Sequence, residues 1–148
     1  MFDKFTGCVV FAALALAVAS CGKEVGRVPL SEAGFGIASL QLKAGDVAFW
    51  TDLDIKHSGE AVLEYRIELW QNGASVATAV CDPLGQMSVK IGWTEVSIGS
   101  SHSRTGEGKM SCRANLAQGG TTEVRAALVV KLRPATMALN KADLVIKQ

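Results

Sequence analysis

The sequence predicts an all-β fold, a single antiparallel β-sandwich or small β-barrel, on three observations. Beyond residue 34, apolar residues recur at every second position in about eight short runs, the period of a strand with a core side and a wet side. Turn signals separate the runs at regular spacing: Asn72-Gly73, Asp82-Pro83-Leu84-Gly85 and Gly119-Gly120. No stretch after Cys21 repeats its apolar residues at helical spacing, so strands have to supply the whole core.

In chain order, residues 21–34 mix Lys23, Glu24, Arg27, Pro29, Ser31 and Glu32 with little periodicity and read as a tether, which leaves 35–148 as the folded domain. Ser39 to Leu42 alternates and Ala44-Gly45 turns. Val47, Phe49, Thr51, Leu53 and Ile55 then line one face of a strand, with Ala48, Trp50, Asp52 and Asp54 on the other. After the polar turn Lys56 to Glu60, Leu63, Tyr65, Ile67 and Leu69 alternate with Glu64, Arg66 and Glu68. Asn72-Gly73 supplies the two positive-φ residues of a type I′ hairpin, and the expected register sets Leu69 opposite Val76, Ile67 opposite Thr78 and Tyr65 opposite Val80.

Met87, Val89, Ile91 and Trp93 alternate next, but Val96 and Ile98 fall on the opposite parity, so a bulge near Thr94-Glu95 is expected. Gly99 to Gly108, rich in Ser and Gly, reads as the longest loop. Met110 to Leu116, Val124 to Leu132 and Leu144-Val145-Ile146 complete the strands.

If each strand crosses the domain once and reverses, the turns near 56–60, 82–86 and 117–120 share one end. Those near 43–45, 72–73, 99–108 and 133–140 share the other. Cys81 and Cys112 then lie toward one end, whereas His57 and His102, the only histidines, lie at opposite ends. That separation argues against a shared metal or catalytic site. Asp52 and Asp54 beside His57 read as a solvated strand face. Ser100-Ser101-His102-Ser103 lacks the orienting acid, the oxyanion hole and the Gly-x-Ser-x-Gly elbow of a serine nucleophile. No catalytic residue, metal ligand or cofactor site is expected. Candidate partner contacts are Trp50, Trp70 and Arg66, which have outward parity, and His102 and Arg104 on the long loop. The two tryptophans lie inside instead if both sheet faces are covered.

Val18-Ala19-Ser20-Cys21 follows an uncharged apolar run, Cys8 to Ala19, too short to span a bilayer but of signal-peptide length. In this register the segment resembles the lipobox of bacterial lipoproteins. The resemblance implies that residues 1–20 are a removed signal peptide and that Cys21 becomes the lipidated first residue. Several acyl chains there would hold the protein at a membrane, and Gly22 after the cysteine favours the outer one. Cys8 leaves with the signal, so Cys81 and Cys112 remain as an even pair in an exported, oxidising setting, where a disulfide is the default. The whole chain carries 15 basic and 14 acidic residues, without the basic excess that attracts nucleic acid. In layout alone the chain resembles the β-sandwich lipoproteins of secretion machines and the lysozyme-inhibitor lipoproteins. The expected function is a non-catalytic partner-binding or structural module of the bacterial envelope, with an inhibitor or a carbohydrate-binding module as the alternative.

Overall fold

In the computed structural model, residues 8–9, 20–30 and 34–148 are described, with side chains for 22–30 and 34–148. The segment expected to be a signal peptide and lipobox, residues 1–21, therefore lies outside the described residues, apart from two backbone pieces. These are β1 (Cys8–Val9) and β2 (Ser20–Cys21), which pair antiparallel. Nine further strands follow: β3 (Glu24–Pro29), β4 (Phe35–Leu42), β5 (Gly45–Ser58), β6 (Val62–Gln71), β7 (Ala74–Cys81), β8 (Met87–Ile98), β9 (Ser101–Leu116), β10 (Gly120–Leu132) and β11 (Thr136–Lys147). They form two antiparallel sheets, β4-β10-β6-β7 and β3-β11-β5-β9-β8, packed face to face as the expected sandwich.

The alternating residues of β5 and β6 meet as their parity demands. Val47, Phe49, Leu53 and Ile55 pack against Leu63, Tyr65, Ile67 and Leu69, with Val124, Ala126, Leu144 and Ile146 completing the core. At its centre the Thr51 hydroxyl and the Tyr65 phenol lie 2.8 Å apart, a buried hydrogen bond that ties one sheet to the other. Cys81 and Cys112 form the disulfide, with Cα atoms 5.2 Å apart, and join β7 to β9 across the sandwich.

Four expectations need correction. Residues 24–29 are not tether but an edge strand, held to β11 by pairs such as Val28 with Leu144. Its Pro29 is tolerated because an edge strand has a side without partners. Arg27 fixes this strand from the outside: its guanidinium donates to Glu24, and one nitrogen donates to both Asp52 and Asp143 at 3.0 Å. A six-residue strand with Gly and Pro in it shows too few alternations to be read from periodicity.

Second, the Asn72-Gly73 hairpin forms with positive φ at both residues, but its register slips. Gln71 pairs with Ala74 and Trp70 with Ser75, then an irregularity sets Leu69 opposite Ala77, Ile67 opposite Ala79 and Tyr65 opposite Cys81. One extra residue on β7 turns Val76 and Val80 outward and brings Ala77, Ala79 and Cys81 to the core side. The disulfide depends on this slip, because it aims Cys81 inward.

Third, Gly99 to Gly108 is not a loop. The turn is confined to Gly99 and Ser100, and β9 runs unbroken from Ser101, pairing Ser101 with Ser58 and Leu116 with Gly45. Its Gly and Ser residues have a local reason at Gly106, where a Cβ would fall 2.6 Å from the Gly92 carbonyl oxygen. Gly92 and Trp93 form one of two β8 irregularities, since Ile91 pairs with Glu107 and Thr94 with Thr105; the other lies between Met87 and Lys90.

Fourth, the strands do not reverse at every turn. β7 stops at Cys81, level with Tyr65, and the chain crosses to the other sheet through residues 82–86. It then enters β8 running the same way. From there on the ends are exchanged, so the turns at 59–61, 99–100 and 133–135 lie together; Ser58 pairs with both Ser101 and Thr136.

Candidate functional site

The early end of β7 leaves part of the inner face of β8 and β9 uncovered by the opposite sheet, and the sequence there changes character. Lys90, Trp93, Glu95 and Ser97 of β8, and His102 and Arg104 of β9, occupy positions that are apolar elsewhere in the sandwich. The apolar residues of β8, Ile91, Val96 and Ile98, take the outer face and are exposed, Ile98 by 75%. A bulge does bring these three to one face, but it lies at Gly92-Trp93 and not at the expected Thr94-Glu95, it leaves Trp93 on the inner side, and the shared face is the outside.

The crossover roofs this polar surface and makes a cleft. Asp82 closes its turn by accepting from the Leu84 amide at 2.9 Å, and Arg104 Nη1 donates to the Leu84 carbonyl at 2.7 Å. Arg104 Nε lies 3.7 Å from Glu95, whose other neighbour is the Trp93 indole N–H, donating at 3.1 Å. The indole bond, followed by the Arg104 charge, holds the Glu95 carboxyl below its usual range despite partial desolvation. Lys90 Nζ sits 5.4 Å from the Trp93 ring centre, a weak cation–π contact. Trp93, Lys90 and Glu95 border a cavity of about 360 Å³.

On the other side of Arg104 and Leu84 a second cavity, of about 370 Å³, is bordered by His57, Glu60, Ser100 and His102. His57 and His102 are cross-strand partners with ring centres 5.1 Å apart. The expectation that they lie at opposite ends is overturned by the direct continuation of β7 into β8. Asp52 and Asp54 are on the outer face, bound to Arg27 and Lys141 and to Thr105, and do not approach His57.

The remaining expected contact residues lie elsewhere. Trp50 keeps its outward parity but is only 1% exposed, packed with Val145 and beside Val89 under Lys147, whose Nζ lies 3.8 Å from the ring centre. Outward direction is not exposure, and Trp50 offers a partner no surface. Trp70 and Arg66 are on the outer face of the four-stranded sheet. There the row Phe35, Ala127, Arg66, Val80 and the row Ile37, Arg125, Glu68, Thr78 run across all four strands. Arg125 stacks on Trp70 at 4.0 Å, while Phe35, Ile37 and Val80 are 64%, 52% and 61% exposed. A shallow depression of about 360 Å³ runs between Phe35, Arg66, Val80 and Arg125.

Apart from the buried Trp50, the candidates divide between two surfaces. His102 and Arg104 belong to the end cleft; Arg66 and Trp70 belong to the outer sheet face. His57 and Trp93 were not expected in a site. The parity break in β8 signalled Trp93, but nothing local signalled His57. Comparison of the chain with protein-family models, with curated proteins and with solved structures finds no match.

Proposed function

We propose that this chain is a lipid-anchored lipoprotein of the bacterial envelope, held to the outer membrane through Cys21, whose β-sandwich is a non-catalytic module that binds an envelope protein. The lipobox resemblance at Val18-Ala19-Ser20-Cys21 supports the anchor. The observation that carries the binding role is the outer face of the four-stranded sheet. It presents Phe35, Ile37 and Val80 to solvent beside Arg66, Arg125 and Trp70, although the sandwich already has a complete core of its own. Contiguous exposed apolar surface on a folded domain marks interaction sites, and Arg and aromatic residues are the side chains that protein interfaces favour.

A second reading, a carbohydrate-binding or inhibitory lipoprotein, is favoured by the end cleft, where the Trp93 ring adjoins the polar groups of Glu95, Arg104 and His102.

Three measurements test the proposal. Intact mass of membrane-extracted protein, wild type against Cys21→Ser, should show cleavage before Cys21 plus acyl chains in the wild type alone; an unlipidated wild type removes the anchor. A photo-crosslinker at Ile37 should trap one protein partner in intact envelopes, and the same probe at Ile98 should not. Equal trapping at both positions defeats the outer-face reading, and retention on glycan resin that depends on Trp93 transfers support to the second.

A further inference from the structure

The His57 and His102 rings are neighbours at the end cavity, tilted by 33° to one another, and each has a partner at Nδ1. His57 Nδ1 lies 2.8 Å from the Gly59 carbonyl oxygen, which can only accept, so Nδ1 carries the proton and the neutral ring keeps its lone pair on Nε2. That Nε2 is buried without a hydrogen-bond partner, in a side chain whose residue is 7% exposed and borders the cavity. A buried nitrogen left this way in a native fold needs a partner such as a water or an ion. His102 Nδ1 lies 2.9 Å from the Ser97 hydroxyl, which can accept the Nδ1 proton as well as donate; in the tautomer where it accepts, Nε2 keeps its lone pair for another partner. A second partner on Nδ1 that fixes the tautomer is the usual support of a metal-binding histidine. Two imidazoles that share one tetrahedral ion at about 2.1 Å have ring centres roughly 5 Å apart, and these lie 5.1 Å apart.

We propose that His57 and His102, through their Nε2 atoms, form a binding site for one divalent transition-metal ion, with Cu²⁺ held more tightly than Zn²⁺. Imidazole nitrogens suit both ions, and the general affinity order places copper first. No group of three His, Cys, Asp or Glu is assembled among the described residues, so the remaining coordination positions belong to water or to an incoming ligand. Such an open site is one at which a donor from a bound molecule can join the ion. The Arg104 guanidinium borders the same cavity and opposes a cation, but Glu95 beside it balances that charge. The inference does not depend on the lipid anchor or on the outer sheet face.

The test uses detergent-extracted full-length protein without a polyhistidine tag. Titration with Cu²⁺, followed by electron paramagnetic resonance, should saturate at one ion per chain with hyperfine structure from two nitrogens. Zn²⁺ in calorimetry should bind more weakly and raise the melting temperature. Because His57 is buried and its removal can unfold the turn, His102→Ala is the primary variant; it should keep the metal-free melting temperature and bind at least about tenfold more weakly. Ser97→Ala touches only the support and should also weaken binding, by about tenfold, as loss of such a support does elsewhere. Copper affinity unchanged in His102→Ala, sulfur ligation in the spectrum, or no saturable binding below millimolar metal would each overturn the proposal.

Discussion

At the scale of single residues, the clearest dependence is on Tyr65, the only tyrosine in the chain. Its phenol is buried and meets the Thr51 hydroxyl in the centre of an apolar core. Tyr65→Phe should cost about 1 to 2 kcal/mol, measured by denaturant midpoint, because it deletes the bond and leaves the Thr51 hydroxyl buried without a partner. Burial pushes the phenol's pKa well above its ordinary value, with the Thr51 bond opposing. The sign follows: above about pH 10 the unfolded chain releases the phenolic proton while the folded one keeps it, so stability is full below that pH and falls above it. Tyr65→Phe should remove that part of the alkaline loss, and stability curves compared at neutral pH and above pH 10 will show it. Trp50 and Trp70 carry a related lesson. Their outward direction follows from counting along the strand, but their exposure depends on Lys147 and Arg125, brought over the rings from other strands.

At the scale of elements, the β6–β7 hairpin and the disulfide are one unit. The turn was legible because few dipeptides accept positive φ twice, and Asn72-Gly73 is foremost among them. The register was not legible, because the pattern in Ala74 to Cys81 suits either face: small Ala residues can turn inward as readily as Val76 and Val80. The slip that buries Cys81 permits a bond that closes a 31-residue separation. In the chain-entropy model a loop of that size contributes roughly 3 to 4 kcal/mol. The double variant Cys81→Ala/Cys112→Ala should lower unfolding free energy by about that amount, seen as an earlier denaturant midpoint with the same secondary structure by circular dichroism. A loss below about 1 kcal/mol would mean that β7 is held chiefly by its ladder to β6.

At the scale of the whole molecule, the two candidate surfaces arise from how the sheets are matched. Sheet β4-β10-β6-β7 completes one side of the core and leaves its other side open. The double variant Phe35→Lys/Ile37→Lys should therefore leave stability within about 0.5 kcal/mol by thermal melting, since both side chains are exposed, while it abolishes partner capture. The end cleft has a different origin, the unequal lengths of β7 and β9. The sequence by itself determined the all-β class, sandwich or small barrel, the inward faces of β5 and β6, the Asn72-Gly73 turn and the expected pairing of the two domain cysteines. Each of these is written in local periodicity, in backbone geometry or in a count of residues. Only the tertiary structure decided that residues 24–29 join the sheet, that β8 turns its apolar side out, and that His57 meets His102. The last of these turns on one crossing between sheets at residues 82–86, where the chain changes layer without changing direction. Strand periodicity reports which side a residue faces and carries no record of the direction in which the next strand runs.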